Sequence, residues 1–245
     1  MHGRPLPGRA LTTVPLSITW FGHSTFLLRS PGGVRLLFDP WIATNPACPA
    51  SARRVGPVDL ILVTHGHDDH IADVVPLARE TGARVLAPYE LAAWLERKGV
   101  RSVAGLNIGG SLEMRGVRIT MVPALHSSSV REDGRLVAAG APCGYVLGFE
   151  DGLVAYFAGD TALFGDMRLI AELHRPALAF LPIGGAYTMG PEQAAKACAL
   201  LGVRQVVPMH YGTFPELAGR PEQLRALVEP SGVEVLALRP GETTT

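Results

Sequence analysis

Cysteine is scarce in this chain of 245 residues, and neither sign of charge is in excess. The three cysteines, Cys48, Cys143 and Cys198, are far apart and form no Cys-x-x-Cys pair, so we expect buried small side chains or free thiols. Their odd number, without a secretory signal, fits a reducing cytoplasm. Lysine and arginine together number 22, as do aspartate and glutamate, which leaves no basic surplus for a nucleic-acid partner.

Long apolar runs are also missing. No stretch approaches the ~20 residues that cross a bilayer, so a membrane partner is not expected. Residues 1–15 lack the apolar core of a signal peptide and are predicted to form a flexible leader. Hydrophobic residues make up 47% and charged residues 18%, which indicates an ordered protein. We predict a single domain over 16–240, a flexible tail over 241–245, and a chain that could form a homo-oligomer.

The chain does contain a dense cluster of histidines and aspartates at 64–70. The cluster follows the apolar segment 59–63, which is typical of a buried strand that ends at a functional loop. His65 and His67 are two positions apart, so in an extended chain they point the same way and can bind one metal ion. Gly66 between them lets the backbone turn sharply.

The second half of the cluster predicts a second ion. Asp69 and His70 are adjacent, so they diverge from the first pair unless the chain turns there. A turn would place a second set of donors beside the first, and two neighbouring ions would then be bound. Asp68 is predicted to cap a helix that starts near Ile71.

Three more candidate ligands share one feature, which is that each follows an apolar, strand-like segment as His65 does. They are His126 after 117–122, Asp160 after 153–159, and His210 after 205–209. A site at one sheet edge should show this pattern several times along the chain. We therefore expect these side chains to lie next to the cluster at 64–70.

The periodicity predicts strands that alternate with helices. The predicted strands are 17–28, 34–39, 60–64, 84–87, 117–122, 145–149, 153–157, 178–181, 205–207 and 233–238. The predicted helices are 71–81, 89–98, 163–173, 191–201 and 221–228, of which the last two begin with a proline followed by a glutamate. Two mixed sheets packed face to face with helices outside, an αββα sandwich of the α/β class, would accommodate them.

The chain resembles the metallo-β-lactamase superfamily, and within it small metal-dependent hydrolases related to the L-ascorbate-6-phosphate lactonase-like branch. The matching segments run in the family's order from about Ile18 to Leu238. They are 18–26, 38–40, 64–70, 124–129, 158–161, 181–184, 188–192 and 207–211. The His-x-His-x-Asp-His motif is specific to the superfamily, and the flanking segments are more specific to the branch.

The resemblance implies a role for each candidate ligand. It assigns the first metal to His65, His67 and His126, the second metal to Asp69, His70 and His210, and the bridge between them to Asp160. Gly185 and Ala186 depart from the branch, in which an acidic residue and an asparagine often follow Pro-Ile-Gly. This departure leaves the predicted metal ligands unchanged and puts the substrate preference in question.

The expected activity is metal-dependent hydrolysis of a small molecule. Two divalent ions about 3.5–4 Å apart can hold a bridging hydroxide that attacks a lactone, ester or phosphodiester. Asp69 can orient the hydroxide. His23 is a candidate to contact substrate or relay a proton, or else makes a structural hydrogen bond. Tyr211 is a weaker candidate.

Several alternatives stay open. The donor set of imidazole and carboxylate suits zinc first, and also manganese or iron. A mononuclear iron-dependent oxidoreductase or sulfur dioxygenase, a metallo-nuclease, and a non-catalytic metal-stabilised scaffold are the other functional classes. Residues 127–142 are predicted to be a long irregular loop that forms a pocket wall or lid, or a mobile surface loop.

Overall fold

The computed structural model describes residues 14–245, so the predicted leader over 1–15 lies outside the described residues except for its last two positions. The strands in chain order are β1 Ser17–Gly22, β2 Thr25–Arg29, β3 Arg35–Phe38, β4 Leu60–Leu62, β5 Arg84–Pro88, β6 Val103–Leu106, β7 Ser111–Met114, β8 Val117–Pro123, β9 Ser129–Glu132, β10 Arg135–Ala138, β11 Cys143–Gly148, β12 Val154–Phe157, β13 Leu178–Pro182, β14 Gln205–Met209, β15 Glu234–Val235 and β16 Thr243–Thr244. The helices are α1 Asp68–Ile71, α2 Val74–Thr81, α3 Tyr89–Arg97, α4 Met167–His174, α5 Pro191–Leu201 and α6 Pro221–Val228, with short 3-10 turns at Ala50–Ala52 and Glu229–Ser231.

Two mixed sheets carry the fold within residues 14–245. The first has the order β16-β1-β2-β3-β4-β5-β6, and the second has the order β15-β14-β13-β12-β11-β8-β7. Strands β3 to β6 run parallel in the first sheet, and β12 to β15 run parallel in the second. Since the carboxyl ends of parallel strands meet at one edge, each sheet gathers the loops after these strands.

The alternation of side chains in β3 shows why four layers form. Leu36 and Phe38 point toward the second sheet, where the Phe38 ring stacks on Phe157 at 4.3 Å between ring centroids. Leu37 points the other way and packs in a second cluster with Leu91 of α3. A strand buried on both faces needs cover on both faces, so the predicted αββα sandwich is confirmed.

The predicted helix boundaries agree best with the structure where the sequence has strong capping signals. Helices α5 and α6 begin at Pro191 and Pro221 and have the predicted bounds. Helix α5 is capped by Gly202, which has φ +65°, as a left-handed C-cap requires.

Among the described residues, no helix is both long and apolar enough to pass through a bilayer. The three cysteines are free and buried.

Four local predictions are corrected. The strand predicted over 17–28 is the hairpin β1–β2, because His23 takes a left-handed backbone conformation with φ +56°. The helix predicted over 71–81 is two helices, and Asp68 lies in the first turn of α1, for which His67 is the N-cap residue. The irregular loop predicted over 127–142 contains the hairpin β9–β10. The tail over 241–245, predicted to be flexible, is instead paired with β1 through Thr243–Thr244.

Candidate metal centre

The histidine cluster lies where β4 ends, between the two sheets. Tyr145 of β11 donates a hydrogen bond from its hydroxyl to the carbonyl oxygen of Val63, 2.8 Å away. The backbone N–H of Cys143 donates to the carbonyl oxygen of Thr64 at 3.0 Å. These bonds hold the end of β4 against the second sheet, so the side chains that follow it face those of the opposite sheet.

The structure brings the first three predicted ligands together. The His65 Nε2 atom lies 3.0 Å from the His67 Nδ1 atom. Donor atoms of these two side chains and of His126 all lie within 4.8 Å of one another. The hydroxyl of Thr64 lies 2.9 Å from the other nitrogen of His65 and fixes the orientation of its ring. Three imidazoles aimed at one point form a donor set for a divalent ion.

Asp160 lies where the second group of donors meets the first. Its Oδ2 atom is 2.9 Å from His210 Nε2, 3.4 Å from His70 Nε2 and 3.7 Å from His126 Nε2. The Asp160 Oδ1 atom and His70 Nε2 are buried and have no hydrogen-bond partner. Buried polar atoms without partners are rare and destabilising, so these orphaned atoms fit ligands of a metal ion.

Asp69 and His23 border this second group. Asp69 Oδ2 lies 3.9 Å from His70 Nε2 and 3.0 Å from His23 Nε2. His23, Asp69, His70 and His210 each place a donor atom within 4.8 Å of the others. The second ring nitrogen of His23 lies 3.0 Å from the Thr213 hydroxyl. His23 therefore contacts the predicted catalytic carboxylate directly.

Asp39 is a site residue that the sequence analysis missed. It accepts hydrogen bonds from the Thr64 backbone N–H at 2.8 Å and the Thr64 hydroxyl at 2.7 Å. Its Oδ2 atom lies 2.9 Å from His70 Nδ1. A carboxylate on Nδ1 holds His70 in the tautomer that turns Nε2 toward Asp160. Asp39 follows strand β3, so the pattern that identified the other candidates could also have identified Asp39.

The charges of these groups are strongly coupled. Burial opposes ionisation of Asp160, but His210 and His70 outweigh burial and hold the pKa of its carboxyl well below the usual range. Burial opposes protonation of His70, yet Asp160 and Asp39 raise its pKa well above the usual range. Burial and the neighbouring His70 lower the pKa of His65. Neutral imidazoles and ionised carboxylates are the forms that bind metal, so an ion bound by His70 would displace its proton.

The pKa of His23 is lowered by the same two causes, burial and a neighbouring histidine, as that of His65. Burial and the adjacent His210 lower the pKa of His23 to about 4, against the opposing effect of its hydrogen bond to Asp69. The net effect on Asp69 is a lowered pKa, because His70 and His23 together outweigh its burial. A neutral His23 can donate from Nε2 to the ionised Asp69 and fix the direction of that carboxylate.

A cavity of about 290 Å³ opens onto the donors. The residues that line it are His67, Asp69, His126, Ser127, Asp160, Tyr187 and His210. Tyr211 is absent from this lining, and its ring packs on Trp20 with 5.1 Å between centroids. That contact favours packing as the role of Tyr211.

The base of the β9–β10 hairpin forms one wall of this region. Gly66 donates its backbone N–H to the Ser128 hydroxyl at 3.2 Å. A Cβ atom at Gly66 would lie 2.9 Å from the Ala139 Cβ and 3.0 Å from the Ser129 carbonyl oxygen, closer than packed atoms approach. Glycine at this position therefore lets the hairpin pack directly against the His65–His67 turn.

An αββα sandwich with histidines and aspartates gathered at one end of both sheets is the architecture of the metallo-β-lactamase fold. The family model described as "Beta-lactamase superfamily domain" matches residues 34–211. A "UPF0173 metal-dependent hydrolase" of Rubrobacter xylanophilus is 50% identical over 228 residues, covering 92% of this chain and 94% of that protein. Another, of Methanopyrus kandleri, is 48% identical and covers 93% of this chain and 99% of its own length.

A solved structure gives the same result. "Igni18, a novel metallo hydrolase" from Ignicoccus hospitalis has 40% sequence identity and a TM-score of 0.83, covering 94% of this chain and 97% of its own. The chain belongs to the metallo-β-lactamase superfamily and, within it, to the UPF0173 metal-dependent hydrolases. The predicted superfamily and the predicted class of metal-dependent hydrolase are thereby confirmed.

Proposed function

We propose that the protein binds two divalent metal ions, zinc by preference, and hydrolyses a lactone, ester or phosphodiester of a small molecule. When bound, such ions would lower the pKa of a water molecule and polarise the C=O or P=O bond whose carbon or phosphorus the water attacks. A reducing cytoplasm is the proposed location, which the free, buried cysteines support.

The donor groups divide between two ions in this proposal. His65, His67 and His126 would hold one ion, since their donor atoms converge. Asp69, His70 and His210 would hold the other. Asp160 would bridge them, because its Oδ2 atom lies within 3.7 Å of histidines from both groups.

Two residues would act on the attacking water. Asp69 lines the cavity and has a lowered pKa, so its carboxylate is ionised and can accept a hydrogen bond from the water and orient it. His23 would position Asp69 through the 3.0 Å contact between Nε2 and Oδ2. His23 does not line the cavity, so direct contact with substrate is less well supported than this positioning role.

The single observation that carries the proposal is the environment of Asp160. One carboxylate oxygen faces three imidazole nitrogens, and the other is buried with no hydrogen-bond partner. This carboxylate would be available to both ions, because Oδ2 lies among histidines of both groups and Oδ1 makes no hydrogen bond within the protein. The donors around His70 and His210 favour two ions over the single iron of an oxygenase.

The proposal is tested by metal analysis of the purified protein together with a panel of lactones, esters and phosphodiesters. His65→Ala and Asp160→Ala should each abolish turnover and lower the metal content measured by elemental analysis. Turnover retained in either variant would contradict the ligand assignment.

His174→Ala is the matched control. His174 lies at the end of α4, away from the cavity, and is half-buried. Its replacement removes one imidazole from the protein without touching the proposed donors. Metal content and turnover should both stay at the wild-type level, and a loss like that of His65→Ala would show that the assay reports general destabilisation.

A further inference from the structure

The cavity over the donors offers no positive side chain to a substrate. Within the described part of the chain, its lining contains imidazoles, carboxylates, one hydroxyl and one phenol, and no lysine or arginine. Two divalent ions would neutralise the group that reacts. A second anionic group, such as a phosphate on the tail of the substrate, would find no cation of the protein to pair with.

Two arginines in segments next to lining residues already contact other groups of the protein. Arg131, on the hairpin beside Ser127, pairs with Asp68 at 3.3 Å. Arg220, in the segment after His210, donates to the carbonyl oxygens of Leu217 and Gly219 at 2.9 and 2.8 Å. Neither arginine lines the cavity.

Exposed apolar side chains border the same cavity. Tyr187 lines it and is 61% exposed, and Leu125, next to His126, is 53% exposed. The buried Thr161 joins their two segments, because its hydroxyl accepts from the Leu125 N–H at 3.0 Å and its carbonyl accepts from the Met189 N–H at 3.2 Å. The backbone segments that carry Leu125 and Tyr187 are therefore both hydrogen-bonded to Thr161, the residue after Asp160.

A third apolar group lies on the His23 side. Phe214 is 37% exposed, stacks on Trp41 with 5.8 Å between centroids, and meets the His23 ring edge-on at 5.9 Å. Because His23 contacts Asp69, this ring stands one side chain away from the cavity. Leu125, Tyr187 and Phe214 together are called the apolar rim below.

We infer that the apolar rim binds an uncharged, apolar tail of the substrate, and that the natural substrate carries no phosphate or carboxylate apart from the group that reacts. This inference rests on the proposed function and names the substrate class for the same site. Contact with exposed leucine and aromatic side chains removes apolar surface of the tail from water, and a cavity lined by no lysine or arginine gives a charged tail no cation to pair with.

The test uses substrates that differ only in the tail. A γ-lactone and a methyl phosphodiester are each prepared with a butyl, a hydroxymethyl or a phosphorylated hydroxymethyl tail, and kcat/KM is measured with the metal-loaded protein. The butyl compound should be preferred over the hydroxymethyl compound by about tenfold or more, and the phosphorylated compound should be the poorest.

Variants of Tyr187 test whether the apolar rim causes the preference for the butyl tail. Tyr187→Ala should lower the butyl-to-hydroxymethyl ratio of kcat/KM several-fold, mainly through KM, while Tyr187→Phe keeps it. Tyr187→Arg should raise kcat/KM for the phosphorylated tail. Leu173→Ala is the control, since Leu173 is 77% exposed on α4 and does not line the cavity, and it should leave every ratio unchanged.

The outcomes separate the two proposals. Turnover with no preference for butyl, or with a preference for the phosphorylated tail, would overturn the apolar-tail inference and leave the hydrolase proposal standing. An unchanged ratio in Tyr187→Ala would also overturn it. No turnover of any compound by protein with full metal content would overturn the proposed lactone and phosphodiester chemistry, and the inference with it.

Discussion

The metal centre has a buried side and an open side, and they are built differently. On the buried side, His65 and His70 are fully buried, and Asp160 and His210 are nearly so. On the open side, the side chain of Asp69 is 30% exposed and that of His126 is 13% exposed. His65 and His70 are oriented by hydrogen bonds with Thr64 and Asp39, while Asp69 and His126 face the cavity where a substrate would bind.

This difference indicates which substitutions should change metal binding and stability and which should change substrate binding. Asp39 and Thr64 fix the buried imidazoles before any ion arrives. The open side is bordered by the hairpin and by the apolar rim, whose contacts matter only when a substrate is present. Changes to the buried side should therefore have the larger effects.

The largest expected effect concerns the pH dependence of the metal-stripped protein. An unfolded histidine takes up a proton near pH 6.5, whereas folded His23, with a pKa of about 4, stays neutral. The unfolded state binds more protons in this window, so the free energy of unfolding should fall by about 2–3 kcal/mol from His23 alone as the pH drops from 6.5 to 4. Urea unfolding at pH 7 and pH 4.5 measures the fall.

His23→Asn sharpens this measurement, because asparagine tolerates the left-handed backbone at this position and does not titrate. The fall between the two pH values should be smaller in the variant than in the wild type. An identical fall in both proteins would contradict the buried, neutral state of His23.

Removal of the charge on Asp39 should weaken metal binding without touching a proposed ligand. In Asp39→Asn the carboxylate that faces His70 Nδ1 is lost, so metal affinity should drop by about 10- to 100-fold. Competition with a chelator measures the affinity. Asp59→Asn, at the residue just before β4 begins, is the control and should bind metal as the wild type does. Equal metal affinities of the wild type and Asp39→Asn would contradict the role given to Asp39.

On the open side, shortening the β9–β10 hairpin should alter substrate binding only. Deletion of 132–135 removes the hairpin's turn and leaves its base packed against Gly66. We expect KM to change several-fold, with metal content unchanged, because Ser127 at the base borders the cavity. An unchanged KM would contradict a role for the hairpin as a lid.

The smallest effect is expected for the surface ion pair between Arg131 and Asp68. Both side chains are more than half exposed, so water and salt screen their 3.3 Å contact. Arg131→Ala should change the free energy of unfolding by less than ~0.5 kcal/mol. A larger change in the free energy of unfolding, measured by thermal or urea unfolding, would mean that the hairpin stabilises the open side of the site more than expected for an exposed ion pair.

The sequence predicted which histidines and aspartates lie together, because a metal-binding pattern restricts both the residue types and their positions after strands. His65, Asp160 and His210 each end an apolar segment, and the structure brings them together. Asp39 does the same after β3 but was missed, since a lone aspartate before a proline also fits an ordinary turn.

The predictions of local structure were wrong where the local signals are ambiguous. The turn at His23 breaks what looks like one apolar strand, and only the left-handed backbone of that residue reveals it. Strand β10 is exposed at every position, so it has no alternation of apolar and polar residues to detect. Thr243–Thr244 becomes a strand only because the edge of β1 is available for pairing.

The most direct test of the central claim is a crystal structure of the metal-loaded protein with anomalous scattering recorded at the metal's absorption edge. The account predicts two metal peaks per chain on either side of Asp160, one among His65, His67 and His126 and the other among Asp69, His70 and His210. A single peak, or peaks that leave Asp160 without contact to metal, would contradict it.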